Sequence, residues 1–342
     1  MGVYMKKILL LTYSKKNLGD DLFLVKISEK YPNKEFYYTA YIENNFLNFP
    51  NLHPLKLYNL FFILITIPYI IFSQFESIIW LGGSIFIESK SWKFLYMLRR
   101  LLILFHHKSK KFIIGSNFGP YNDPNFLICY KKFMLKMDDV CFRDRYSYNL
   151  FSDLNNIRLE SDVVFGLNYT KTEFTNKTIA FSIINPKNIS QIKSHTSYIN
   201  YCKQAVMYFA KLGYTINLLS FCDFEGDDLF CNYLADELKN EKIFVVNYNG
   251  DYKKMLKVIE QAELLICTRF HSMILAALMR KNFICISYSK KINEYAKTFF
   301  RNSITIESID ENLKFIYKYN YVDNEILEYN ILSAERQFLR CV

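Results

Sequence analysis

Short apolar runs and stretches of helical period alternate along the whole chain, and this pattern predicts most of the elements. Ile8 to Tyr13 reads as a first buried strand. A polar turn holding Asn17, Gly19, Asp20 and Asp21 follows, then a helix from Leu22 to about Ser28. Phe36 to Tyr41, Ile78 to Leu81, Phe112 to Ile114 and Asp139 to Phe142 supply further strands. A helix runs through Phe126 to Met137, another opens at Arg143 to Ser147, and Asp162 to Phe165 closes this half.

After a polar run the alternation resumes. Strands are predicted at Thr178 to Ile183, Tyr214 to Leu219, Ile243 to Val246, Leu264 to Cys267 and Phe283 to Ser287. Helices lie between them at Tyr198 to Leu212, Leu229 to Leu238, Tyr252 to Ala262 and from Met273 to Met279. Strand and helix in this rhythm imply parallel sheets with right-handed crossovers. The expected organisation is therefore α/β with two Rossmann-like lobes: residues 1–167, a linker at 168–177, a second lobe at 178–302, and a mainly helical tail at 303–342. A cleft between the lobes is the expected ligand site.

Two segments depart from the pattern. Leu57 to Ser73 is almost wholly apolar, and Trp92 to Phe105 sets Arg99 and Arg100 among Leu, Tyr and Met. A span needs ~20 apolar residues, and Pro68 falls inside the first run. A buried helix is the first reading, and peripheral contact of both segments with a membrane face the second.

Composition narrows the classes. Half the residues are hydrophobic, which excludes a disordered chain. The net charge of +10 points to an anionic partner. Its lysine pairs are scattered, and no zinc finger, helix-turn-helix or RNA-recognition signature accompanies them, so nucleic acid is not expected. The eight cysteines form no CxxC pair and read as reduced core residues. No metal-ligand cluster is visible, and the opening apolar run is too short for a signal peptide, so a cytoplasmic location is expected.

Candidate chemistry gathers where strands end. Thr268-Arg-Phe-His-Ser272 sets a guanidinium, an imidazole and a hydroxyl between a strand and a helix, where amides and crevice both favour an anion. Gly19, Gly82-Gly83-Ser84 and Gly115-Ser-Asn117 recur at strand ends of the first half, though a tight turn would use glycine too. Asp20 suits a helix N-cap as well as a ligand contact. Arg143, Asp144 and Arg145 could simply pair with one another at the surface.

Taken in order, Asn17-Leu-Gly-Asp20, Leu81-Gly-Gly-Ser84, Gly115-Ser-Asn-Phe-Gly-Pro120, Phe142-Arg-Asp-Arg-Tyr-Ser147, Asp162, Thr268-Arg-Phe-His-Ser272 and Tyr288-Ser-Lys290 resemble the polysaccharide pyruvyl transferase family. The resemblance implies a fold similar to the two-lobed glycosyltransferase B architecture. It implies transfer of pyruvate from phosphoenolpyruvate onto two hydroxyls of a sugar, with a cyclic ketal formed and phosphate released. The acceptor would belong to a capsule, exopolysaccharide or cell-wall polymer or its lipid-linked precursor, and the enzyme would sit in the cytoplasm or on the inner membrane face. Donor contacts are implied for Arg143, Arg269, Phe270 and His271, with His271 and Arg269 catalytic. Asn17, Gly19, Asp20, Gly83, Ser84 and Asn117 are expected to line the acceptor side. No cofactor or metal is expected.

The residue types suit that chemistry. Arginine forks bind carboxylate and phosphate by paired hydrogen bonds, and histidine can move a proton near neutral pH. The base acting on the sugar hydroxyls stays open among Asp20, Asp21, Asp144 and Asp162. Two alternatives stay open as well: a nucleotide-sugar glycosyltransferase of the same fold, for which the acidic loop Asp223 to Asp228 could face a ribose, and a non-catalytic membrane- or glycan-binding module.

Overall fold

A computed structural model describes residues 7–42, 47–169, 177–189, 193–287, 295, 304–305 and 322–340. The chain divides into two units. The first comprises residues 1–15, 22–166 and 330–342, the second residues 16–21 and 167–329. Most of the expected linker and the Tyr288-Ser-Lys290 stretch lie outside the described residues.

Unit 1 is built on a seven-stranded sheet, all of whose pairs are parallel, in the order β3-β2-β1-β4-β5-β6-β7. Its strands are β1 (Lys7–Leu11), β2 (Glu35–Ala40), β3 (Leu52–Lys56), β4 (Ser77–Leu81), β5 (Lys110–Ser116), β6 (Asp139–Phe142) and β7 (Ile157–Leu159). The order reverses between β1 and β4, which makes the carboxyl ends of those two strands a switch point. The core is aromatic: Trp80, Phe86, Phe118, Phe126, Tyr130 and Phe133 are all buried, with edge-to-face pairs such as Trp80–Phe133 at 5.2 Å between centroids.

Helices α1 (Leu18–Lys30), α2 (Leu60–Phe72), α3 (Trp92–Phe105), α4 (Pro124–Met134) and α5 (Arg145–Phe151) connect the strands. Capping marks their starts. Asn59 accepts from the Phe62 amide, and Asp123 precedes a proline at the first helical position. Asn17, rather than Asp20, opens α1: its carbonyl accepts from the Asp21 amide and its side chain from the Gly19 amide. Asp20 therefore sits inside the first turn.

One expectation fails here and two strands were not foreseen. The closing stretch Asp162 to Phe165 leads into a 3-10 turn at Val163–Gly166, and the sheet ends one element earlier at the unforeseen β7, whose residues are only half-buried. β3 was hidden because His53 and Pro54 break its apolar pattern. The buried helix expected at 57–73 is α2, it runs through Pro68, and it is not buried. Only Thr66 and Ile70 are covered, while Leu60, Phe61 and Phe72 are 70%, 66% and 81% exposed.

Unit 2 holds a six-stranded sheet, again with only parallel pairs, in the order β10-β9-β8-β11-β12-β13. The strands are β8 (Thr178–Ile183), β9 (Thr215–Ser220), β10 (Ile243–Asn247), β11 (Leu264–Cys267), β12 (Asn282–Ser287) and β13 (Ile304–Thr305). Between them run α6 (Lys193–Lys211), α7 (Asp227–Leu238), α8 (Tyr252–Gln261) and α9 (Phe270–Leu278). Ile179, Phe181, Tyr198, Phe209, Leu218 and Ile266 belong to one buried cluster.

The tail contributes α10 (Asn324–Arg336). From Asn330 onward its residues belong to unit 1. There Asn330 and Ser333 bond Ser161, and the wholly buried Gln337 accepts from the Gly115 amide at 3.0 Å while donating to the Ser161 carbonyl at 3.0 Å.

Candidate active site

β11 is buried along its whole length between β8 and β12, as four apolar residues in a central parallel strand must be. The chain turns at once into α9, and hydroxyls hold the turn. The Thr268 hydroxyl donates to the Ser182 carbonyl at 2.6 Å, and the Thr268 amide donates to the Ser182 hydroxyl at 3.1 Å. Ser272 bonds the Arg269 carbonyl and takes the Ser182 hydroxyl at 2.7 Å. Thr268 and Ser272 thus weld the start of α9 to the end of β8, and the two residues between them that carry chemistry are held on rigid elements.

Arg269 precedes α9 and is 9% exposed. Its guanidinium makes a forked pair with Asp227, Nε to Oδ2 at 2.8 Å and Nη2 to Oδ1, while Nη1 reaches Glu225 at 2.5 Å. Asp227 also receives the Asn185 and Cys222 amides at 3.1 and 3.2 Å. Burial pushes its carboxyl above the usual range, and the Arg269 charge opposes that rise. The guanidinium therefore keeps its plane and position without a ligand. Asp227 is wholly enclosed, whereas the Glu225 side chain is 26% exposed. An incoming oxyanion could take over the Glu225 contact with less disruption.

Next to it, His271 meets the segment from Lys16 to Asp21, which belongs to the same unit. The Leu18 amide donates to the Phe221 carbonyl at 3.0 Å and fixes the segment at the end of β9. A Cβ added at Gly19 would overlap the His271 ring, so only glycine lets the first turn of α1 lie this close to the imidazole. On its other side His271 meets Phe270 edge-on at 5.1 Å, and Phe270 in turn packs on Tyr295 at 4.7 Å.

Two residues along from Gly19, Asp21 is 1% exposed. Its Oδ2 accepts from the Tyr248 hydroxyl at 2.8 Å, and its Oδ1 has no hydrogen-bond partner among the described residues. Burial lifts this carboxyl to about 7, with the Tyr248 hydrogen bond and the Lys16 charge pulling the other way. The Tyr248 phenol is itself driven well above its ordinary value, first by burial and then by Asp21. A carboxyl poised near neutrality with one unengaged oxygen has the properties of a general base.

Unit 1 carries a second buried arginine. Arg143 donates to Asp162 at 2.6 Å and to the Asn117 side chain at 2.8 Å, and Ser84 donates to the same Asn117 oxygen at 3.3 Å. A Cβ on Gly83 would overlap the guanidinium. The surface pairing considered for Arg143, Asp144 and Arg145 does not occur, because burial gives Arg143 a fixed partner in Asp162 and Asp144 caps α5 through the Ser147 amide. Of the residues singled out in the sequence, Arg269, Phe270, His271, Asn17, Gly19 and Asp20 belong to unit 2, and Arg143, Gly83, Ser84 and Asn117 to unit 1.

Sequence reasoning missed Tyr248, Ser182, and the service of Glu225 and Asp227 to Arg269. The acidic loop was visible, but its partner lies over forty residues away in sequence. Within that loop Asp223 is engaged by Ser220 at 2.6 Å.

The family model described as polysaccharide pyruvyl transferase matches residues 10–290. Among curated proteins nothing matches. Among solved structures, Anabaena Alr3699/HepE in complex with UDP and glucose superposes with a TM-score of 0.57 at 12% identity, covering 98% of this chain and 95% of that one. UDP-GlcNAc 2-epimerase from Methanocaldococcus jannaschii gives 0.57 at 11% identity, covering 97% and 98%. At these identities the likeness is one of fold: two parallel-sheet units of the glycosyltransferase B kind.

Proposed function

The chain belongs to the polysaccharide pyruvyl transferase family, and we propose that it moves pyruvate from phosphoenolpyruvate onto two hydroxyls of a sugar in a surface polysaccharide or its lipid-linked precursor, in the cytoplasm. The observation that supports this reading best is the grouping in unit 2 of a fixed guanidinium, an imidazole and a carboxyl raised to about 7.

In the proposed reaction the vinyl carbon gains a proton and becomes a methyl group. Two carbon–oxygen bonds form to the sugar, and the bond to the phosphate oxygen breaks. Of the two hydroxyl protons, one balances the methyl group and the other leaves with phosphate. Arg269 and the start of α9 hold the anionic donor, with Glu225 giving way. Phe270 packs against the donor, and His271 supplies the proton to the departing phosphate or the vinyl carbon. Asp21, with its free oxygen, takes a proton from the sugar, and Asn17, Gly19 and Asp20 line that approach. Within unit 1, Arg143 is a positioning residue that holds Asn117 and, through it, Ser84 beside Gly83.

The test is incubation with phosphoenolpyruvate and a panel of lipid-linked and nucleotide-linked sugars, followed by mass spectrometry and phosphate detection. One pyruvyl ketal gained with one phosphate released is expected. Thermal stabilisation by UDP or GDP and none by phosphoenolpyruvate would instead assign a nucleotide-sugar transferase.

A further inference from the structure

The exposed side of α2 and α3 inverts the usual rule for a surface helix, which turns its polar residues to water. The two helices pack on one another within unit 1. α2 carries no charged residue, and Leu60, Phe61, Leu64 and Phe72 are each about two-thirds exposed or more. On α3 only Trp92 is buried, and Leu104 and Phe105 are 64% and 54% exposed. Exposed apolar patches beyond a few hundred Å² are rare on proteins that meet only water.

The charge carried by these two segments has one sign. No Asp or Glu occurs from residue 57 to 75 or from 89 to 122, whereas Lys90, Lys93, Arg100 and Lys108 are exposed there. At ~1.5 Å per residue a helix of this length reaches about 20 Å, short of the ~30 Å hydrocarbon layer. No helix among the described residues is long and apolar enough to cross a membrane.

We propose that α2 and α3 form a docking face for the surface of an anionic lipid bilayer, with the apolar side chains entering the acyl boundary and the basic residues facing lipid phosphates. A second copy of the chain fits less well. A two-fold contact would bring these basic residues against their own counterparts, with no carboxylate in either segment to neutralise them.

The full chain would be sedimented with vesicles of phosphatidylcholine alone and of phosphatidylcholine with phosphatidylglycerol, and no sugar or phosphoenolpyruvate is needed. Binding to the anionic vesicles is expected, weakened at least tenfold by Leu64→Asp and, separately, by Lys93→Glu with Arg100→Glu. All these side chains are exposed, and unchanged melting curves would confirm folding. Absence of vesicle binding, equal binding to both compositions, or binding indifferent to Leu64→Asp would overturn the proposal. A dimer that Leu64→Asp converts to monomer, with no vesicle binding, would assign the face to a second copy. The readout is independent of the reaction, so either proposal can fail alone.

Discussion

The Tyr248 hydroxyl donates to one oxygen of Asp21 and leaves the other buried and, among the described residues, unengaged. Burial raises this carboxyl from 3.8 to about 7. The folded state therefore binds a proton that the unfolded chain gives up at lower pH. Stability associated with Asp21 is full below its unfolded value and is lost as pH rises toward and through 7. The difference amounts to about 4 kcal/mol. Asp21→Asn should flatten that fall, raising the melting temperature at pH 8 relative to wild type while removing turnover. Denaturant titrations at pH 5 and 8 and phosphate-release rates check both halves. A variant that is stabilised and fully active would remove Asp21 from the chemistry.

His271→Ala should abolish phosphate release by at least about a hundredfold, the usual scale for a proton-transfer group, with little change in melting temperature. Retained activity above a tenth of wild type would count against the proposed role.

Gly19→Ala tests the close approach to His271. The added methyl must displace the imidazole or the first turn of α1, and a shift of ~1 Å at a reacting group can cost ~100-fold. Loss of kcat is expected. In the His271→Ala background the same substitution should no longer destabilise, because its neighbour has gone. Equal destabilisation in both backgrounds would place the clash elsewhere.

For Arg269 the effects on fold and ligand separate. Asp227→Asn removes the carboxylate that the guanidinium forks, and losing one member of a buried pair costs about 3–5 kcal/mol. Glu225→Gln loosens only the partly exposed contact. It should leave the melting temperature within a few degrees and lower the KM for phosphoenolpyruvate, since a competing carboxylate has been neutralised. A raised KM would mean that Glu225 aligns the donor instead of yielding to it.

Most of the fold could be read from the chain because β8, β10, β11 and β12 are dense apolar runs separated by helical period. β3 and β7 escaped because Pro54 and Arg158 interrupt short edge strands. α2 was misjudged for a physical reason: an apolar sequence states what a helix avoids, and leaves open whether protein covers it. The Arg269 to Ser272 stretch stood out through residue type alone. Tyr248 and Asp227 did not, since an ordinary tyrosine and a helix-start aspartate gain their chemistry only from neighbours brought by the fold.

The path of α10 bears on how the chain is made. Gly115 and Ser161 are synthesised early, yet the side chain that satisfies their buried backbone groups belongs to Gln337. Unit 1 cannot complete its own hydrogen bonding until Gln337 has left the ribosome, by which time the strands of unit 2 are already available to pair. An early stop just before Gln337 would strip polar partners from the first unit and spare the sheet of the second, so that nascent-chain damage at one end is felt at the other.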